Sequence, residues 1–364
     1  MRFRTLAAAG VLAAGLTTTG VANAANAPAE LPPPTGHHQV GLSTFGLVDT
    51  RRADPWVPAE RRELMVSLWY PARAKGSRPS PYMTPQESAA LAAKLAIPAD
   101  SFSTVRTHST VDAPALGGRA PLVVFSPGFM VPRTTLTALA EELASRGYVV
   151  ASIGHNHEAL ATTFPDGHTT GCEACVANDG KKVVNTRAAD VSFVLDELTG
   201  PRSPHDIARL VDRHRIAMVG HSIGGASTAP AMLTDRRIGA GVMLDGGFYT
   251  PVTRLNRPYL LMGQPEHRPG GTGDPTWDAA WPRLGGWKRW LTVDPSDHYT
   301  YTDADYLAAK AGFPMPGNSL DPLRGIRITE AYVTAFLDQH LRGCPQPLLD
   351  GPSARYPEVR FWNP

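Results

Sequence analysis

Two short, almost continuous apolar runs, "PLVVFSPG" at 121–128 and "YVVASIGH" at 148–155, flank the amphipathic stretch "PRTTLTALAEELASRG". A strand that is apolar at consecutive positions must be covered on both faces. This strand–helix–strand order therefore requires a parallel sheet sandwiched between helices. The pattern continues with strands at "RIAMVG", "GAGVMLD", "PYLLMG" and "RWLTVD", and with helices at "NTRAADVSFVLDEL", "PHDIARLVDRH" and "DPLRGIRITEAYVTAFLDQHL". Upstream, "QVGLSTFGLVD" and "ELMVSLWYPA" read as an early hairpin, and 85–97 as a helix opened by a proline. The stretch from there to 118 reads as a surface excursion. With 364 residues, 42% of them hydrophobic, the chain fills one large α/β domain rather than two.

The ends have their own signatures. Residues 1–24 place two arginines before a short apolar run and then Ala22-Asn23-Ala24, which predicts a secretory signal peptide cleaved near Ala24. The run is too short and too interrupted for a membrane span, so stable membrane insertion is not expected. Residues 25–36 read as a proline-rich leader, 37–343 as one doubly wound α/β domain and 344–364 as a loose C-terminal tail. The formal charge is +2 with scattered lysines and arginines, which leaves no footprint for nucleic acid. Export favours a disulfide among Cys172, Cys175 and Cys344, either local or to Cys344. A zinc site joining "CEAC" to His155 and His157 is the alternative, but nothing in the sequence brings these two loops together. No metal or dinucleotide motif is present, and no cofactor is expected. The sequence leaves the oligomeric state open.

Chemistry concentrates at "AMVGHSIGGAS". Gly220-His221-Ser222-Ile223-Gly224 fits G-x-S-x-G between a strand and a helix, a sharp turn whose glycines permit strained backbone and whose serine is presented at the sheet edge. A bystander serine in a glycine-rich turn would lack partners. Ser222 has them in the order this fold requires: Asp245 ends the next strand, and His298 follows a later one in "VDPSDHYTYTD". Asp297 is a poor acid candidate because neighbouring side chains diverge, Asp294 reads as a turn residue, and His221 should point away from the serine. His267 reads as a substrate-side or solvated loop histidine. Oxyanion donors are expected at the backbone N–H groups of Ile223 and of Phe129, in the loop after "PLVVFSPG". Trp277, Trp281, Trp287 and Trp290 crowd one segment, either as an apolar platform for substrate or as packing on the sheet.

Taken together, "PLVVFSPGF", "GYVVASIGHNHEA", "VGHSIGGAS", "GVMLDGGF" and "SDHYTYTD" resemble, in this order, the secreted, calcium-independent platelet-activating factor acetylhydrolase family of α/β-hydrolases. An acid one strand after the serine is the more specific part of the match. The resemblance implies an α/β-hydrolase fold, with a mostly parallel central sheet and helices on both faces. It also implies a triad of Ser222, Asp245 and His298 with oxyanion donors at Phe129 and Ile223, and an ester substrate that is a small molecule or lipid with a short acyl chain. Two features depart from the family: Pro127-Gly128 stands where His-Gly is common, and a cysteine-bearing loop fills part of 155–183. A lipase or polyester hydrolase is the rival reading, and a non-catalytic binding protein on the same fold is the rival from another class.

Overall fold

The computed structural model describes residues 28–200, 209–271, 273–313 and 319–362. The expected signal peptide lies outside them. A long hairpin comes first, β1 (Gln39–Ala53) and β2 (Arg61–Ala72), then β3 (Arg78–Pro81), α1 (Pro85–Leu95) and β4 (Arg106–Val111). The strand–helix–strand unit is β5 (Ala120–Ser126), α2 (Thr137–Ser145) and β6 (Val149–His155). It is followed by a small hairpin, β7 (Thr162–Thr163) and β8 (Thr169–Thr170), and by α3 (Ala174–Ala177) and α4 (Gly180–Thr199). Next come β9 (Val211–His221), α5 (Ile223–Ala226), α6 (Thr228–Thr234), β10 (Ile238–Leu244), β11 (Tyr259–Gly263) and α7 (Thr276–Ala280). The chain closes with β12 (Lys288–Val293), α8 (Ala304–Lys310), α9 (Pro322–Arg342) and β13 (Val359–Trp362).

One sheet runs in the order β13-β12-β11-β10-β9-β5-β6-β2-β1-β4-β3. Its centre, from β12 to β6, is parallel throughout. The alternation of side chains splits each central strand between two cores. Leu122, Val124, Ile216 and Met218 face a core shared with α4, α6 and the buried tryptophans. Val123, Phe125, Ala217 and Val219 face one shared with α2 and α9. After β5 the chain steps to β6 on one side and returns to β9 on the other, and a crevice at the carboxyl ends of strands flanking such a reversal is where α/β sheets bind ligands.

Several expectations change. The short helix that "PHDIARLVDRH" predicts does not reach its end: residues 201–208 lie outside the described residues, and from Val211 the chain is already β9, held by pairing with Ala120 and Pro121 of β5. That tertiary ladder overrides the local helical pattern. The excursion before 118 is not outside the sheet, since β4 pairs with β1 and β3. Residues 344–364 are no loose tail either: Leu349 is buried, and β13 pairs antiparallel with β12. The proline-rich leader packs down as well, with Leu31 buried and Thr35 hydrogen-bonded to the Glu142 carboxylate.

Candidate active site

At the end of β9 the backbone makes the sharp turn that the glycine spacing predicts. Ser222 has φ 56° and ψ −125°, a strained left-handed conformation for a residue with a side chain. The turn is fixed by the Ser222 N–H, which donates to the Leu244 carbonyl at 2.8 Å. Its glycines are steric necessities: a Cβ on Gly220 would stand 2.2 Å from the Gly224 backbone, and one on Gly224 only 2.0 Å from the Ser126 carbonyl oxygen. Ser222 is half-buried and opens into a cavity of about 200 Å³ that is also lined by Ile223, Asp245, His267 and His298.

Asp245 follows β10 directly, also at positive φ, with its side chain wholly buried. Its Oδ2 lies 2.6 Å from Nδ1 of His298, and its Oδ1 accepts the Gln264 N–H at 2.7 Å. Burial alone would raise the Asp245 pKa, but the bond to His298, that ring's charge, His267 and the Gln264 N–H together hold it below the usual range. For His298 burial works downward, and the bond to Asp245, its charge and that of Asp297 outweigh it, so the imidazole titrates above its ordinary value. The structure thus brings Ser222, Asp245, His298 and Ile223 to one cavity. Phe129 lies in the loop after β5 and packs against the small apolar cluster that contains Ile223.

The neighbouring residues have other roles. Asp297 turns away from the ring, its Oδ1 accepting the N–H groups of Tyr299 and Thr300. Asp294 is exposed at a turn. His221 does point away from the serine, but it is not idle: Nε2 donates to the His298 carbonyl at 2.7 Å, and the two rings are 4.6 Å apart. Burial, then the nearby His298, lowers its pKa to about 3, so it stays neutral. His267 is not the solvated histidine expected of its loop. It is buried, stacks on Trp277 at 4.3 Å, and sets Nε2 3.5 Å from Asp245 Oδ1. The tryptophan cluster packs rather than forming an open platform: Trp277 and Trp290 are fully buried, donating to the Gly246 and His267 carbonyls, and Trp281 lies beside Trp290.

A second Ser–His–Asp array, which sequence spacing gave no reason to suspect, lies behind the site. Ser126 Oγ is 3.0 Å from His155 Nε2, and His155 Nδ1 is 2.9 Å from Asp190 Oδ2. All three side chains are buried, and so are Arg62 and Arg187, which bond to Asp190 and Ser126 respectively. Burial, then the charge of Arg187, depresses the His155 pKa to about 3. Ser126 is fully buried and already accepts a hydrogen bond from a guanidinium, whereas a nucleophile needs an open approach for substrate. Cys172 and Cys175 are joined to each other, while Cys344 is free and exposed. That bridge uses both thiols of the alternative zinc site. Among the described residues no helix is long and apolar enough to cross a membrane.

Known proteins agree with this architecture. The family described as platelet-activating factor acetylhydrolase, isoform II, matches residues 23–188. A probable 1-alkyl-2-acetylglycerophosphocholine esterase of Arthroderma benhamiae is 27% identical, the match covering 97% of this chain and 98% of that protein. The platelet-activating factor acetylhydrolase of Gallus gallus is 24% identical over 62% of this chain and 63% of its own. A ferulic acid esterase from Streptomyces cinnamoneus superposes with a TM-score of 0.83 at 43% identity, covering 93% of this chain and all of that one. A mostly parallel sheet with helices on both faces, a strained serine turn at its edge and these likenesses converge: the chain is a carboxylic ester hydrolase and belongs to the platelet-activating factor acetylhydrolase-like family of α/β-hydrolases.

Proposed function

We propose that Ser222, His298 and Asp245 act as a triad on esters with a short acyl group. His298 Nε2 takes the Ser222 proton as Oγ attacks the carbonyl, and Asp245 holds the tautomer with Nδ1 protonated and stabilises the imidazolium. The backbone N–H groups of Ile223 and Phe129 receive the negative charge on the carbonyl oxygen. Collapse expels the alcohol with the proton from His298, and water then clears the acyl-enzyme by the same route. The observation that carries this reading is the 2.6 Å Asp245–His298 contact opening on the same cavity as the strained Ser222. A fluorophosphonate probe should label the protein once, and Ser222→Ala should abolish that label; labelling that survives the substitution refutes it.

The leader sequence supports secretion, with mature protein from culture medium beginning near Ala25; N-terminal sequencing checks this. The small cavity supports acetyl and butyryl esters over palmitoyl ones, since each methylene left in water forgoes about 0.8 kcal/mol. A second reading has its own support: Tyr249, Gln264, Asp274 and Thr276 give the cavity a hydrogen-bonding wall, and the ferulic acid esterase is 43% identical. On that reading the preferred acyl group is a hydroxylated aromatic. Comparison of nitrophenyl acetate, butyrate and palmitate with methyl ferulate and a phospholipid bearing a short sn-2 chain separates the two.

A further inference from the structure

The buried array around Ser126 reaches the loop that bears Phe129 through the Arg187 side chain. Arg187, from α4, donates Nη1 to the Pro127 carbonyl and Nη2 to the Gly128 carbonyl at 3.4 Å, and its Nη1 also reaches Ser126 Oγ at 3.2 Å. Its Nε is anchored on Glu158 at 2.7 Å. Directly after these carbonyls comes the Phe129 N–H. A trans peptide points its N–H opposite to its C=O, so a guanidinium that captures the Gly128 carbonyl turns the Phe129 N–H to the other side of the strand end. The far side of the turn is stitched as well: the Met130 N–H donates to the Glu158 carbonyl at 2.9 Å, and Met130 sits at φ 69°.

We propose that Arg187 is a positioning residue for ester hydrolysis: by holding the Pro127 and Gly128 carbonyls it aims the Phe129 N–H at the developing oxyanion. The inference rests on the triad reading above and on Phe129 as oxyanion donor. It also explains the second Ser–His–Asp array. Asp190 accepts from His155 Nδ1, which leaves Nε2 to accept from the Ser126 hydroxyl, which in turn accepts from Arg187. Every donor in this chain has an acceptor, so Arg187 is held from behind in one orientation. Lysine could keep the charge beside Glu158 but could not span both carbonyls, because only the planar fork presents paired donors.

The test compares wild type, Arg187→Lys and the neutral double variant Arg187→Gln/Glu158→Gln, which keeps the interior balanced should the single variant fail to fold. Thermal unfolding establishes folding, and Ser222→Ala is the control. With nitrophenyl acetate, kcat should fall roughly tenfold to a hundredfold, below the cost of deleting an oxyanion donor outright, with KM within about twofold. The acid midpoint of the pH–rate profile should stay in place. A short alkyl trifluoromethyl ketone, whose hemiketal carries an oxyanion, should weaken by the same factor as kcat/KM. Wild-type kcat in either folded variant, a loss confined to KM, or unchanged ketone affinity beside a lowered kcat each overturns the proposal. If Ser222→Ala itself retains activity, the triad reading has failed, and that outcome is distinct from any of these.

Discussion

Two serines, each within a Ser–His–Asp set, make the sharpest residue-scale contrast. Ser222→Ala should cost on the order of a millionfold in turnover. Ser126→Ala, which removes a buried hydroxyl between a guanidinium and a neutral imidazole, should cost far less turnover, no more than a loosened Arg187 entails, and lose about 1–3 kcal/mol of stability. Parallel assays of the two with one chromogenic ester decide which serine reacts. The aspartates separate by the same reasoning. Asp245→Asn should lower kcat about ten-thousandfold by favouring the wrong tautomer, whereas Asp297→Asn keeps its turn-forming oxygen and should do little at pH 8. The base must be neutral to accept a proton. With the His298 pKa raised, kcat/KM should rise with pH through a midpoint above the ordinary histidine value of about 6.5, and Asp297→Asn, which removes one charge that raises it, should move that midpoint downward. Much of this was legible in the chain: a motif between strand and helix, then an aspartate and a histidine each at a strand end. His221, His267 and Arg187 were not, because each acts through a partner distant in sequence, 77 residues away for His221 and the His298 carbonyl, and no periodicity encodes such a meeting.

At the scale of elements, the elbow between β9 and α5 is positioned by contact with its neighbours more than by its own propensities. Gly224 lies against the end of β5, so the serine turn and the loop bearing Phe129 share one backbone contact. Gly224→Ala would drive a methyl into the Ser126 carbonyl. We expect a loss of about 1–3 kcal/mol in a denaturant titration, as for other overpacked interiors, together with lowered kcat. An equivalent methyl at Gly171, which has open space around it, should change neither quantity. The parallel strands were readable because burial on both faces leaves continuous apolar runs. The start of β9 was not, since Val211 and Asp212 continue a helical spacing and become strand only where β5 offers them hydrogen-bond partners. Pairing partners are a property of the sheet, and a single segment does not carry them.

The fold is closed by the first and the last of the described segments. The leader puts Leu31 into a small core with Tyr82, Met83 and Leu91, and the final residues add Leu349 and Val359 to the core under α9. Truncation after Gly343 should therefore be costly although it removes nothing that lines the active-site cavity: each of Leu349 and Val359 is worth roughly 1.5–3 kcal/mol of burial, and β12 would lose its antiparallel neighbour and become the sheet edge. We expect a lower thermal midpoint and a smaller soluble yield, with residual folded protein retaining wild-type KM; an unchanged midpoint would show that the segment is dispensable.

The outermost strands of the sheet carry a further consequence. β3 reads Arg-Pro-Ser-Pro, so two of its four residues have no N–H to offer, and β13 is equally short, with Arg360 within it. A sheet with eleven strands and long apolar runs at its centre would ordinarily be a template onto which a stray extended chain could add. Here a recruit would find prolines and a cation at one border and a four-residue stub at the other. Such borders favour colloidal durability: copies of this enzyme crowded together have little backbone left with which to recruit one another strand by strand.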